Sequence, residues 1–206
     1  MPRRPRFQAP DAIYHLTSRG TEGRPVFLDD RDRRRFVSVL AGAVEEREWL
    51  CLAYCLMTNH FHLLVQTPHA DLAIGMHRVN SAHANYFNRR HDHVGHLFQA
   101  RYSSVLVERE AHLLEACRYI VLNPVRAGLC RRPSDWRWSS YRATAGYVSR
   151  PAFLAADWVL GHFGADARRA ALRYVEFVAA GLRDAAAPAA SRGLAPGRGL
   201  KGRERT

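Results

Sequence analysis

The stretch WLCLAYCLMTNHFHLLVQ, residues 49 to 66, decides the fold. Its first half, WLCLAYCLM, is apolar at both parities, as a strand buried on both faces would be. Thr58 and Asn59 favour a turn. The segment HFHLLVQ then alternates, with Phe61, Leu63 and Val65 on one face and His60 and His62 on the other. The pattern predicts a hairpin whose second strand carries two imidazoles roughly 6.6 Å apart on one face. Such a pair is either two satisfied histidines on a half-exposed face or two ligands converging on one ion, and its surroundings have to decide.

Upstream, AIYHLTSRG (12–20) alternates and ends in glycine, which predicts a first strand and a loop. DDRDRRRFVSVLAGAVEERE (29–48) opens on acidic residues and places Phe36, Val37, Leu40 and Val44 at helical spacing. Arg31, Arg33, Arg34 and Arg35 are assigned to the solvated side of that helix. Downstream, residues 71–90 repeat the helical spacing through Leu72, Met76, Val79, Tyr86 and Phe87. A histidine-rich loop, HDHVGHLFQARY, leads into a further strand, YSSVLVE (102–108). The helix EAHLLEACRYIVLNPVRAGL follows, and Pro124 and Gly128 are expected to close it.

The order strand, helix, strand, strand, helix, strand defines an α+β class: a ferredoxin-like, split βαβ antiparallel sheet with helices packed on one face and the other face available. Past Gly146 the pattern weakens until ADARRAALRYVEFVAAGL (165–182), an amphipathic helix. Three units are expected: a main domain over 1–150, a C-terminal helical extension over 151–185, and a disordered basic tail over 186–206, where little apolar surface remains to bury.

Composition narrows the function. In 206 residues, 31 lysines and arginines face 19 acidic residues, a formal excess of +12 that is almost all arginine. The planar guanidinium suits phosphate, so a polyanionic partner is the leading expectation. No run approaches the roughly 18 apolar residues needed to span a bilayer. The opening MPRRPRFQAP lacks an apolar signal core, and a cytoplasmic protein is expected. Cys51, Cys55, Cys117 and Cys130 form no CxxC pair and read as reduced thiols.

A second clue lies in the helix after the last strand. On a wheel of about 100° per residue, Leu113, Leu114, Cys117, Ile120 and Val121 gather into one stripe. Tyr119 lies nearly opposite, with His112, Glu115 and Asn123 on its side, so a phenol and an amide are offered away from the helix's own packing face.

At these residues the sequence resembles a known family. His60-Phe61-His62 reads as the histidine, bulky hydrophobe, histidine motif of the HUH endonucleases. CLMTNHFHLLV, NRRHDHVGHLFQARY and RYIVLNPVRAGL together resemble the REP-associated tyrosine transposases, a group of single-tyrosine transposases. The resemblance runs from about Ile13 to Tyr147, through DWRWSSYRA, with Thr58 standing where relatives often carry proline. It implies that Tyr119 is the nucleophile, that His60 and His62 hold a divalent metal, and that Asn123 is the third ligand.

Two neutral nitrogens and an amide oxygen leave coordination positions vacant, which suits Mg²⁺ or Mn²⁺ and not a closed zinc site. The outcome would be a 5′-phosphotyrosine and a free 3′-hydroxyl, and reversal of the step would transfer strands. Single-stranded or hairpin DNA, such as a palindromic repeat, is the expected partner, bound by a monomer or a homodimer. Arg89, Arg90, His93, His96, Arg101 and Tyr102 mix phosphate-seeking charge with stacking surface and are the expected DNA contacts. Trp136 and Trp138 read as core. The alternatives are a non-catalytic DNA-binding regulator and a metal-dependent RNA phosphodiesterase that uses water in place of the phenol.

Overall fold

In the computed structural model, which describes residues 8–108 and 110–186, the segment from Leu50 to Thr67 folds as the hairpin its pattern predicts. Strand β2 (Leu50–Leu56) pairs antiparallel with β3 (His60–Thr67), Cys55 opposite His62 and Leu56 opposite Phe61. Strand β1 (Ala12–Arg19) takes the other side of β3, and β4 (Ser103–Leu106) pairs antiparallel with β1, giving the order β2-β3-β1-β4. With α1 (Asp30–Glu46) and α2 (Leu72–Arg90) as the crossovers, this is the split βαβ sheet the sequence predicts.

Helices α1 and α2 cover one face. Tyr14 and Leu16 from β1 meet Phe61, Leu63 and Val65 from β3, and Phe36, Leu40, Met76, Val79 and Phe87 close over them. Each such side chain contributes about 1.5–3 kcal/mol on burial. Helix α1 starts where the sequence places it, because the Asp29 carboxylate accepts from the backbone N–H groups of Arg31 and Asp32.

The second face differs from the expectation of an open surface. Helix α3 (Glu110–Arg126) lays Leu113, Cys117, Ile120 and Val121 across Leu52, Cys55 and Leu64. The short helices α4 (Tyr141–Thr144) and α5 (Ala156–Gly161) and the long α6 (Ala167–Ala186) complete this second core through Tyr141, Val159, Leu160, Tyr174 and Val178. This explains why β2 is apolar at both parities: it has helices above and below.

Two further expectations change. Arg33 is not on the solvated side of α1: it is buried, with its guanidinium 5.7 Å from the Phe27 ring centre and 5.9 Å from those of Trp136 and Trp138. Both tryptophans are structural, their indole N–H groups donating to Leu56 O and the Asp30 carboxylate. Pro124 does not end α3, which continues to Arg126. Its missing N–H is compensated by Asn123, whose side-chain amide donates to the carbonyls of Tyr119 and Ile120 at 2.9 and 3.5 Å. The segment expected as a helical extension carries α5 and α6: Ala155 N–H donates to Cys51 O at the outer edge of β2, and α6 packs on α3. Of the basic tail expected over 186–206, all but Ala186 lies outside the described residues.

Candidate active site

The β1–β3 register sets Thr17 opposite His62 and Arg19 opposite His60. Strand alternation therefore points His15, Thr17, His60 and His62 toward the same face, and α3 brings Tyr119 to it. The His60 and His62 rings lie 4.9 Å apart, nearly perpendicular. The Tyr119 ring stands 5.9 Å from that of His62 and 5.8 Å from that of His15. It is 43 % exposed, so the phenol is open to a ligand. Arg126 holds its guanidinium 5.2 Å from the Tyr119 ring centre, two helical turns further along α3.

The hydrogen bonds around the imidazoles are specific. His62 Nδ1 is 3.0 Å from both Thr17 Oγ1 and His15 Nε2, which leaves Nε2 as its other nitrogen. His60 Nδ1 is 2.7 Å from Asn59 Oδ1. Burial, with the neighbouring charges of His15 and His60, pushes His62 down to about 3. Burial also lowers His60, aided by Arg19, and lowers His15. All three imidazoles are therefore neutral at neutral pH, as a ligating histidine has to be.

Two imidazoles side by side on one face are donors of the kind a partly coordinated divalent ion takes. His60 and His62 are neutral with a free nitrogen each, and Asn123, its Nδ2 spent on backbone carbonyls, retains its Oδ1. Among the described residues no three histidine, cysteine or acidic side chains come together as a group that could hold a metal ion.

The residues expected to contact DNA divide. Arg89, His96 and Arg101 are exposed, and His93 is half-buried with Nδ1 3.1 Å from Asn88 Oδ1. Arg90 is committed elsewhere, bridging Asp29 and the fully buried Asp32 at 2.5 Å, with His91 completing the cluster. Tyr102 is a core residue, 5 % exposed. Neither presents the surface a phosphate or a base would meet. The loop that carries His93, His96 and Arg101 runs back to the sheet: Phe98 bridges Gly20, and Gln99 N–H donates to Arg19 O. Since Arg19 faces His60 in register, this loop and the imidazole pair share one end of the sheet. A cleft of about 790 Å³ opens between α2 and this loop, lined by Asn80, Asn85, Phe98 and Arg101 among others.

Four neighbours of the site were not singled out from the sequence. His15 and Thr17 share a parity in AIYHLTSRG, but only pairing with β3 aligns them with His62. Asn59 reads as a turn residue alone. Arg126 was legible, seven residues beyond Tyr119 and so on the same helical face.

Residues 8–123, just over half of the chain, match the family model described as IS200-like transposase. The chain belongs to the IS200-like transposases, a class of DNA-cleaving enzymes. Of the solved structures, a REP-associated tyrosine transposase bound to a REP hairpin superposes with a TM-score of 0.61 at 16 % identity, over 75 % of this chain and 92 % of that one. It has the same fold. A candidate transposase from Deinococcus radiodurans matches with a TM-score of 0.40 at 19 % identity, over 54 % of this chain and 88 % of that one. No curated protein matches the sequence. No helix among the described residues is long and apolar enough to cross a membrane.

Proposed function

We propose that this transposase nicks and rejoins single-stranded DNA at the tip or foot of a hairpin, with Tyr119 as nucleophile and His60, His62 and Asn123 as the metal ligands. The observation that carries the reading is the meeting of a half-exposed phenol from α3 with the imidazole pair of β3. The hairpin bound to the structural neighbour supports the substrate class.

In the reaction, Tyr119 Oη forms a bond to the scissile phosphorus as the bond to the 3′-oxygen breaks. The phenol gives up its proton to solvent, and the departing 3′-oxygen gains one. The product is a 5′-phosphotyrosine and a free 3′-hydroxyl, and attack by a second 3′-hydroxyl reverses the step and joins strands. A neutral phenol is a weak nucleophile, so the charge that develops as the bond to phosphorus forms has to be stabilised. Arg126 stacks its guanidinium over the ring, and the β1 and β3 side chains beneath hold the phenol toward the imidazoles. Mg²⁺ or Mn²⁺, when bound, supplies Lewis-acid polarisation of the phosphate, worth several kcal/mol. Arg89, Arg101 and His96 supply charge and hydrogen bonds along the strand.

The test is a labelled hairpin oligonucleotide incubated with the protein and Mn²⁺ and resolved on a denaturing gel. A protein–DNA adduct that Tyr119→Phe abolishes is the expected result. Binding without cleavage would favour a regulator, and cleavage without an adduct that survives Tyr119→Phe would favour a water-dependent phosphodiesterase.

A further inference from the structure

The turn between β2 and β3 is latched to the segment that follows β1. Gly20 N–H donates to Asn59 O at 2.8 Å, and the N–H groups of Val26 and Phe27 donate to Thr58 O at 2.9 and 3.2 Å. Between these latches the chain makes a tight turn in which Glu22 and Gly23 both take left-handed backbone angles, φ 55° and 72°. A left-handed glutamate is uncommon and has to be held by its surroundings. The turn aims the Gly23 carbonyl at the Asn59 side chain, whose Nδ2 donates to it at 2.9 Å.

That contact decides which way the amide points. A carbonyl only accepts, so the atom facing Gly23 O is nitrogen and the atom facing His60 is oxygen. Asn59 Oδ1 is in turn only an acceptor, so the His60 nitrogen 2.7 Å from it carries the hydrogen. His60 is thereby held as the Nδ1–H tautomer, with the lone pair on Nε2.

Building on the metal reading of the site, we propose that Asn59 is a positioning residue: anchored on Gly23 O, it fixes the tautomer and ring orientation of His60 so that Nε2 stands ready as a donor. The Thr17 and His15 contacts at Nδ1 of His62 orient the neighbouring ring. The strained turn after β1 thus serves the site without touching it.

Two measurements on the metal-free, full-length protein test this. Long-range ¹H–¹⁵N NMR of the imidazoles is expected to find His60 protonated at Nδ1 in the unaltered chain. A proton on Nε2 overturns the proposal before any substitution is made. Asn59→Ala is expected to admit the other tautomer and to weaken Mn²⁺ binding, followed by calorimetry, by about 10- to 100-fold. Asn59→Asp keeps the acceptor facing His60 but gives up the donor to Gly23 O, and is expected to keep the proton of His60 on Nδ1. An alanine variant with unchanged tautomer and affinity would overturn the proposal, and so would an aspartate variant in which that proton moves to Nε2. His60→Ala separates this from the reading beneath it: if that variant binds Mn²⁺ as tightly as the unaltered chain, the metal assignment fails whatever Asn59 does.

Discussion

Tyr119 and His62 meet edge to face, their ring centres 5.9 Å apart and their planes at 86°. One ring comes from the third helix and the other from the second strand of the hairpin, so no local stretch of sequence contains the pair. Tyr119→Phe preserves the ring and deletes only the hydroxyl. Because the residue is half-exposed, stability should change by less than about 0.5 kcal/mol while adduct formation is lost. Thermal unfolding and the gel assay check the two halves independently.

Arg90 and Arg101 lie near one another in sequence and are predicted to behave oppositely. Arg90→Ala strips the buried Asp32 of a charged partner, leaving it with His91 and the Leu28 N–H. It should lower the midpoint of thermal unfolding and leave the salt dependence of DNA binding unchanged. Arg101→Ala should leave the midpoint alone and reduce the slope of log affinity against log salt by about 0.7–0.9 for one lost phosphate contact. A salt titration of hairpin binding distinguishes them.

Stability should fall on mild acidification, and His83 is a principal reason. Its Nε2–H donates to Val26 O, and the ring lies among Phe27, Phe36, Phe87 and Phe98 with no partner at Nδ1. Burial pushes its pKa down from 6.5 to about 4. Since the folded value is below the unfolded one, the contribution is complete above pH 6.5 and is lost as pH falls toward 4, on the order of 3 kcal/mol in all. Urea unfolding at pH 7 and pH 4.5 measures the loss. His83→Gln, which still donates to Val26 O, should shrink it; His15, His60 and His62 are lowered too, so a residual slope of the same sign remains.

Gly75 is there for space. A Cβ at this position would come within 2.3 Å of the Trp49 ring, and that ring is pinned by its indole N–H to Asp71 at 3.0 Å. Gly75→Ala should destabilise the fold by about 1–3 kcal/mol, read from urea unfolding.

What could be read in the sequence was what depends on near neighbours. The parity of residues 50 to 67 foretold the hairpin and the shared face of His60 and His62. The helical wheel put Tyr119 opposite the stripe of Leu113, Cys117 and Val121, which the structure buries. What escaped depends on distant pairing. Arg33 looks like its neighbours until Trp136 and Trp138 arrive from more than a hundred residues away. Arg90 looks free until Asp29 and Asp32 are folded against it. Pro124 looks like a stop until the Asn123 amide stands in for the missing donor. His15 joins the site only because β1 pairs with β3 in one particular register.

The C-terminal helix carries a consequence of its own. Its Phe177 stacks under the Arg118 guanidinium at 4.7 Å, and Gly181 leaves just enough room for Arg118 and Leu122 to cross it. The lever arm that presents the phenol is therefore braced by residues beyond Asn123, where the family match stops. Substitutions at Phe177 or Gly181 are therefore expected to change how firmly this helix is held while leaving Tyr119 itself unaltered.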